Sequence, residues 1–314
     1  GFVRYCSSTG PKMYKLETSR FLQPNWDRDY NGKSDITVWR PDSGIWYVRP
    51  GPSLPGDFTT TQWGIATDIP VPGDYDGDRK SDIAVWRPDS GTWFILPGSG
   101  SPGAYTTARW GDMTDLPTPG DFDGDGKTDM AVWRPQMGMW FILPSGSAGS
   151  QMVTQWGMDC DIPVPGDYDG DGRTDIAVWR PGPGMWFILP SSTPASYLTT
   201  QWGTLSDIPM PGDYNGDGKT DIAVWRPQDG IWFIQPSGTP NEITVKSWGM
   251  DGDIPGPGDY DGDGTADIAV WRPGAGMWFA MLSGSPDSYS VTQWGTPGDQ
   301  PISSTIPLIH GISE

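Results

Sequence analysis

The chain has 314 residues, of which 44 are glycine and 33 are proline, and its formal net charge is −19. Only three of the 39 acidic residues are glutamates: Glu17, Glu242 and Glu314. The charge excludes nucleic acid as a partner because phosphate binding needs a basic face, and no apolar run approaches the roughly 20 residues of a membrane span. Frequent glycine and proline argue against helices, while 19 tryptophans require burial or a ligand. We therefore expect an all-β protein.

Three series of tryptophans recur along the chain at a spacing of 46 or 47 residues. The first series opens the motif WRP, the second follows seven residues later, and the third is always followed by glycine. The members are Trp39, Trp86, Trp133, Trp179, Trp225 and Trp271; Trp46, Trp93, Trp140, Trp186, Trp232 and Trp278; and Trp63, Trp110, Trp156, Trp202, Trp248 and Trp294. Only Trp26 lies outside them. This register indicates one structural unit repeated six times.

Residues 68–114 show the elements of one unit in chain order. DIPVPGDYD predicts a short first strand, GDRKS a loop and DIAVWR a second strand; after a turn at 88–91, TWFILP predicts a third strand and YTTARW a fourth. The second and third strands are apolar on both alternations, which is typical of sheets covered on both faces. Four strands in about 46 residues predict a propeller blade. The alternatives, a two-sheet sandwich or an open solenoid, do not account for the periodicity as well.

The whole chain, 1–314, is expected to form one propeller domain. The repeats are bounded at 21–67, 68–114, 115–160, 161–206, 207–252 and 253–298. FVRYC and KMYKLE at the start predict a hairpin, and DQPI after the last repeat resembles the opening strand of a further unit. We therefore expect a seven-bladed β-propeller of four-stranded antiparallel blades, the seventh composed of 1–20 plus 299–314. The alternative is six blades with free terminal strands that pair with a neighbouring subunit in a filament.

A nine-residue acidic motif, with oxygen-bearing side chains at positions 1, 3, 5 and 9, lies between the first and second strands of every repeat. Its members are Asp27, Asp29, Asn31 and Asp35; Asp74, Asp76, Asp78 and Asp82; Asp121, Asp123, Asp125 and Asp129; Asp167, Asp169, Asp171 and Asp175; Asp213, Asn215, Asp217 and Asp221; and Asp259, Asp261, Asp263 and Asp267. These oxygens converge on one point if the chain turns sharply between them. The backbone carbonyl at position 7 would complete the set, as in an EF-hand loop. Position 7 is occupied by Lys33, Lys80, Lys127, Arg173, Lys219 and Thr265.

The chemistry of this motif favours calcium. Sites built only from oxygen suit calcium better than magnesium, whereas zinc and copper prefer histidine or cysteine, and the only histidine is His310. The loops hold 22 of the 39 acidic residues, and the remaining 17 are outnumbered by 20 lysines and arginines. Clustered carboxylates repel one another unless a cation lies among them. The alternative is that the aspartates only form turns; an EF-hand is disfavoured, because its position 12 would be Val85 between β-strands. We expect about six Ca²⁺ ions, one in each loop.

Copies such as GDYDGDGRTDIAVWRP (166–181) resemble the VCBS/FG-GAP repeats, the calcium-binding units of bacterial surface proteins and of the integrin α-subunit propeller. The resemblance covers 21–298 and implies a seven-bladed calcium-binding propeller outside the cell. Tyr30 at position 4 and Arg79 at position 6 replace the usual glycine, and Asn31 and Asn215 lower the charge of their loops. We expect the first site to be the weakest.

The arginine of each WRP motif is expected at the blade end opposite the acidic loops, together with the aspartate of each WGxxxD motif. The residues are Arg40, Arg87, Arg134, Arg180, Arg226 and Arg272, and Asp68, Asp115, Asp161, Asp207, Asp253 and Asp299. We expect buried Arg–Asp pairs, with a ring of arginines that binds an anionic ligand as the alternative.

No combination of side chains indicates catalysis, because every motif acid is repeated and no serine or cysteine has a histidine partner other than His310. We therefore expect a non-enzymatic, extracellular or cell-surface propeller that serves adhesion, ligand binding or a structural role. Its partner would be a protein or a glycan, or a further copy of itself. The alternatives are a lectin, with Tyr105, Tyr197 and Tyr289 as candidate sugar contacts, and a filament subunit. Cys6 and Cys160 leave the redox compartment undecided.

Overall fold

The computed structural model describes residues 2–7, 10–16, 26–51, 56–98, 103–146, 150–239, 241–285, 288–303 and 309–310. The strands of this part of the chain form six four-stranded sheets and one three-stranded sheet, all antiparallel. We call the six larger sheets blades 1 to 6. The start of the first repeat, 21–25, lies outside the described residues.

The strand bounds follow from inner to outer edge in each blade. Blade 1 contains β26 (Gln300–Ile302), β3 (Ile36–Arg40), β4 (Ile45–Arg49) and β5 (Thr59–Gln62). Blade 2 contains β6 (Ile69–Pro70), β7 (Ile83–Arg87), β8 (Thr92–Leu96) and β9 (Thr106–Arg109), and blade 3 contains β10 (Leu116–Pro117), β11 (Met130–Arg134), β12 (Met139–Leu143) and β13 (Met152–Gln155). Blade 4 contains β14 (Ile162–Pro163), β15 (Ile176–Arg180), β16 (Met185–Leu189) and β17 (Leu198–Gln201). Blade 5 contains β18 (Ile208–Pro209), β19 (Ile222–Arg226), β20 (Ile231–Gln235) and β21 (Thr244–Ser247), and blade 6 contains β22 (Ile254–Pro255), β23 (Ile268–Arg272), β24 (Met277–Met281) and β25 (Tyr289–Gln293).

Pairs of tryptophans fix the register inside each blade. The WRP tryptophan on the second strand lies directly opposite the second-series tryptophan on the third strand, as Trp86 lies opposite Trp93. Both indoles are fully buried and both donate to the Trp110 carbonyl, over 3.1 and 2.9 Å. These two large side chains therefore lie side by side on one face of the sheet, where their burial supplies much of the core of the blade.

The third tryptophan series joins each blade to the next. The Trp63 Nε1–H of blade 1 donates to the Phe94 carbonyl of blade 2 over 3.0 Å. The equivalent bonds run from Trp110 to Phe141, Trp156 to Phe187, Trp202 to Phe233, Trp248 to Phe279 and Trp294 to Tyr47, over 3.0–3.2 Å. The last bond connects blade 6 to blade 1, so the blades form a closed ring.

The ring has six blades, and the prediction of seven with a composite last blade is wrong. DQPI does begin an inner strand, but Gln300 pairs with Trp39, so that β26 completes blade 1 and does not start a seventh sheet. Blade 1 therefore takes one strand from the far end of the chain, and this pairing closes the ring without further blades. The alternative was a ring of six blades whose terminal strands are free to pair with a neighbouring subunit. Six blades are observed, but the terminal strand β26 pairs within its own chain.

The predicted N-terminal hairpin is observed. β1 (Phe2–Ser7) pairs with β2 (Gly10–Leu16), and β2 also pairs with β27 (Ile309–His310), which gives the three-stranded sheet. Cys160, at the end of blade 3, is disulfide-bonded, and the sequence has one other cysteine, Cys6. Across the described residues, no helix is long and apolar enough to span a membrane.

Candidate metal centre

Each acidic motif forms a tight loop between the first and second strands of its blade. In blade 3, one carboxylate oxygen of Asp121 accepts the Gly124 N–H over 2.7 Å, and the other accepts the Gly126 N–H over 2.8 Å. Both glycines have left-handed φ, of 77° and 83°, which a residue without Cβ adopts at little cost. The loop is thus folded around the carboxylate at position 1, which leaves further lone pairs of that group for a cation.

The loops bring acidic side chains together in five blades. In each of these blades, three carboxylates offer oxygens that lie within 4.8 Å of one another. The groups are Asp27, Asp29 and Asp35; Asp74, Asp76 and Asp78; Asp121, Asp123 and Asp129; Asp167, Asp169 and Asp175; and Asp259, Asp261 and Asp263. Blade 5 has the same loop but with Asn215 at position 3, and its three aspartates, Asp213, Asp217 and Asp221, do not form such a group among the described residues. Several acidic clusters can therefore hold a metal ion.

The aspartate at position 9 is held from two sides. One oxygen of Asp82 accepts the Tyr75 N–H over 3.0 Å, and the other accepts the Gly98 N–H over 2.6 Å. Burial, together with the nearby carboxylates of Asp76 and Asp74, raises the pKa of Asp82 to about 7, although these two hydrogen bonds lower it. The same arrangement raises the pKa of Asp35 to about 7 and that of Asp129, Asp175, Asp221 and Asp267 to about 6.

Without a cation, burial and the neighbouring carboxylates disfavour the charged forms of these aspartates and so raise their pKa. Burial also raises the pKa of the position-1 aspartates Asp74, Asp121, Asp167 and Asp259, and neighbouring loop carboxylates raise it further. A divalent ion among them would favour the charged forms of all these groups together. The donor set, composed of hard oxygens with flexible geometry, fits calcium.

A second loop of each blade also reaches this centre, and the sequence interpretation missed it. The Ser145 hydroxyl, in the connection after the third strand, lies 2.9 Å from both carboxylate oxygens of Asp125, and the Gly146 N–H donates to Asp123 over 3.2 Å. Ser191, Ser237 and Ser283 contact the position-5 aspartates of blades 4, 5 and 6 in the same way. The signal was present, since in each of these four blades the third strand is followed at a fixed offset by serine.

The predicted Arg–Asp pairs form in all six blades. Arg180 donates from Nε and Nη2 to the two oxygens of Asp161 over 2.7 and 2.8 Å, and its guanidinium lies 4.5 Å from the centre of the Phe187 ring. The Asp161 side chain is 1% exposed and that of Arg180 is 27% exposed. The other five pairs have the same two-pronged geometry, with Nε to oxygen distances of 2.6–2.7 Å. These arginines are thus engaged in structural pairs.

The cavity that the loops enclose has a volume of ≈ 380 Å³. Its wall includes the position-7 and position-8 residues of several blades, such as Lys127, Thr128, Arg173, Lys219 and Thr220. The acidic loops therefore stand next to one another around one opening and are not scattered over the surface.

Comparison with known proteins agrees with this architecture. A family model described as FG-GAP-like repeat matches residues 74–132, 121–178 and 213–270, which together make up more than half of the chain. Comparison with the curated proteins found no match.

Among solved structures, the chain is similar to a lectin from Agrocybe aegerita described as recognising non-reducing terminal N-acetylglucosamine, with 13% identity, a TM-score of 0.53, and 93% of this chain and 79% of that chain covered. It is also similar to virginiamycin B lyase from Staphylococcus aureus, with 9% identity, a TM-score of 0.50, and 88% of this chain and 93% of that chain covered. At such identities the likeness shows the propeller fold alone. The three matched segments, in contrast, contain five of the six acidic loops, and the chain belongs to the family of FG-GAP-like repeat proteins.

Proposed function

We propose that this chain is a non-enzymatic extracellular binding module, and that calcium ions in its acidic loops hold the propeller together. The observation that carries the proposal is the convergence of three carboxylates in each of five loops, with buried position-9 groups whose pKa is raised to about 6 or 7. The position-7 carbonyls remain predicted ligands. The disulfide at Cys160 supports an oxidising compartment, where calcium is also plentiful.

A non-enzymatic role is supported by the regularity of the polar groups. Among the described residues, the acids of the metal-binding groups recur in the loops of successive blades, and those of the Arg–Asp pairs recur in all six blades. The addition in blade 3, Asp112, contacts Arg134 over 2.7 Å beside Asp115 and so belongs to the same ion pair. A catalytic site usually departs from the repeat that carries it, because one blade must present what the others do not.

Thermal unfolding with and without calcium tests the proposal. Each ion bound only by the folded state adds about 1.4 kcal/mol when free calcium is ten times its Kd, so chelation is expected to lower the melting temperature strongly. Calorimetric titration of the metal-free protein should show about six ions, and magnesium at the same concentration should restore less stability. An unchanged melting temperature together with no bound calcium would refute the role.

A second candidate, glycan binding, is favoured by three exposed tyrosines. Tyr105, Tyr197 and Tyr289 are 58%, 63% and 65% exposed. Each packs against the joining tryptophan of the preceding blade, with ring centres 5.4–5.8 Å apart. The tyrosines occur in blades 2, 4 and 6, whereas Gln151 and Ile243 occupy the equivalent places in blades 3 and 5. In blade 1 the equivalent residue is Phe58, which packs against Trp294 in the same way.

Several exposed aromatic side chains around one ring suit a branched or repeated sugar, because an exposed aromatic face packs on the apolar face of a pyranose and simultaneous contacts raise avidity. A glycan array run in calcium with the triple Tyr→Ala variant tests this. The matched control removes three exposed outer-strand valines, Val153, Val245 and Val291. We expect the tyrosine variant alone to lose binding; equal signals from both variants would eliminate the tyrosines as sugar contacts.

A further inference from the structure

Each acidic loop is hydrogen-bonded to the acidic loop of the preceding blade, all the way round the ring. In every blade the backbone N–H at loop position 8 donates to the carbonyl at position 1 of the preceding loop, over 2.6–2.9 Å. The six bonds run from Ser34 to Asp259, Ser81 to Asp27, Thr128 to Asp74, Thr174 to Asp121, Thr220 to Asp167 and Ala266 to Asp213. The residue that accepts each bond also carries the first carboxylate of its own loop. Backbone and ligand geometry are therefore linked between blades.

The side chain at position 7 strengthens this link. Lys33 of blade 1 donates from Nζ to the Asp261 carbonyl of blade 6 over 2.6 Å, and Asp261 is position 3 of that loop. The Arg173 side chain of blade 4 lies over Gly124 of blade 3 so closely that a Cβ on Gly124 would be 2.9 Å from its Cγ. Position 4 is thus glycine partly because the next blade occupies the space above it.

Two loops lack the usual glycine at position 4 or 6, and the residues that replace it contact each other. Tyr30, at position 4 of blade 1, has a φ of 62°, and Arg79, at position 6 of blade 2, has a φ of 68°. Arg79 Nη1 donates to the Tyr30 hydroxyl over 3.2 Å. Two departures that are 49 residues apart in sequence therefore form one contact between neighbouring loops. The loops of blades 1 and 2 therefore contact each other through the residues in which they differ from the other loops.

We propose that the six acidic loops bind calcium as a coupled ring, in which an ion in one blade fixes the groups that position the ligands of the preceding blade. The proposal rests on the calcium role proposed above. An ion fixes its loop from position 1 to position 9, and that segment includes the N–H at position 8 and the side chain at position 7 that hold the preceding loop. One hydrogen bond of this kind corresponds to about a twofold to tenfold change in affinity. The effect acts on both neighbours, because coupling between two sites is reciprocal.

The test removes one site and follows the others separately. The variant Asp169→Asn/Asp171→Asn disables blade 4, and hydrogen exchange measured over a series of free calcium concentrations reports each loop as its own peptide. We expect the calcium midpoints of loops 121–129 and 213–221 to rise about twofold to tenfold, as above. Loop 27–35, on the opposite side of the ring, should keep its midpoint. Wild-type protein should show a Hill coefficient above 1.

Two controls separate coupling through bonds from simple electrostatics. Loss of two carboxylates weakens neighbouring ions through space, but salt screens that effect, with a Debye length of about 10 Å at 0.1 M and about 3 Å at 1 M. Coupling through bonds should persist at the higher salt. Thr174→Pro removes the N–H that holds Asp121 without a change in charge, whereas Thr174→Ala keeps it, as Ala266 does in blade 6. Only the proline variant should raise the midpoint of loop 121–129.

The outcomes are distinguishable. If the disabled blade leaves the neighbouring midpoints unchanged, or if their shift disappears in 1 M salt, the loops are independent and the calcium role stands. If wild-type protein binds no calcium, both proposals fail. If the proline variant does not fold, the salt comparison on the Asp169→Asn/Asp171→Asn protein decides between coupled and independent sites.

Discussion

Replacement of Arg180 by methionine is expected to destabilise the propeller by about 2–4 kcal/mol. Arg180 contacts both oxygens of Asp161, whose side chain is 1% exposed. Removal of one member of a buried ion pair costs about 3–5 kcal/mol because the other charge remains buried. The lower range applies here for two reasons: Arg180 is partly exposed, and Asp161 keeps the Met158 N–H as a donor over 3.0 Å. Methionine retains part of the packing on Phe187.

Urea unfolding in saturating calcium, followed by tryptophan fluorescence, measures this loss. Arg109→Met on the exposed outer strand of blade 2 removes the same side chain without a buried partner, and we expect it to change stability by less than about 0.5 kcal/mol. In Arg180→Met/Asp161→Asn no charge remains buried, so the double variant should recover part of the loss. If Arg180→Met costs no more than Arg109→Met, the pair is not structural and the arginines are free to serve a ligand.

Three further perturbations follow from the loops and the joins between blades. In metal-free protein, burial raises the pKa of Asp82 to about 7, so the folded state retains a proton that the unfolded state releases near pH 4. The melting temperature of the metal-free protein should therefore fall as pH rises from about 4 to about 7. A similar fall in saturating calcium would contradict this explanation. Trp156→Phe removes the bond to the Phe187 carbonyl and should cost about 1 kcal/mol in urea unfolding, with no loss at all as the contrary result. Gly124→Ala should lower the melting temperature more than Gly126→Ala: both positions have left-handed φ, but only a Cβ at Gly124 meets a side chain of the next blade. Equal losses would show that backbone strain alone matters.

The repeat unit was predictable because its signals are local. The paired tryptophans, the turn glycines and the acidic motif all fall within one blade, and their spacing alone gave the four strands in the correct order. The Arg–Asp pairs were also predictable, since both residues lie at the same end of one blade. The repeat pattern is thus sufficient to predict contacts between residues of the same repeat.

The blade count was not predictable from the residues left over at the ends. The residues at both termini were expected to form a further blade, yet among the terminal residues that the structure describes only Gln300–Ile302 joins the ring, and it does so in blade 1. The position of Trp26 was not predictable either, because this residue lies outside the three periodic series of tryptophans. It packs against Trp46, with ring centres 5.9 Å apart, and donates to the Thr37 hydroxyl over 2.6 Å. In blade 2 the corresponding aromatic partner is Tyr75, which lies one loop position past the first aspartate.

The contact between Tyr30 and Arg79 could not be predicted from the sequence either. Each was visible as an exception in its own loop, but nothing in one repeat shows which residue of the next repeat it faces. Contacts between repeats require the angle between successive blades, which follows from the packing of whole sheets.

The pairing of β26 with β3 has a consequence for biosynthesis. Blade 1 is translated first among the blades but lacks its inner edge until the segment after blade 6 has been made. Until then β3 has an unpaired edge that other chains can pair with. Pairing of β3 with β26 closes a long loop, and the closure entropy amounts to about 5 kcal/mol. The nascent protein is therefore open to misassociation at this edge from the synthesis of blade 1 until β26 has been made and paired.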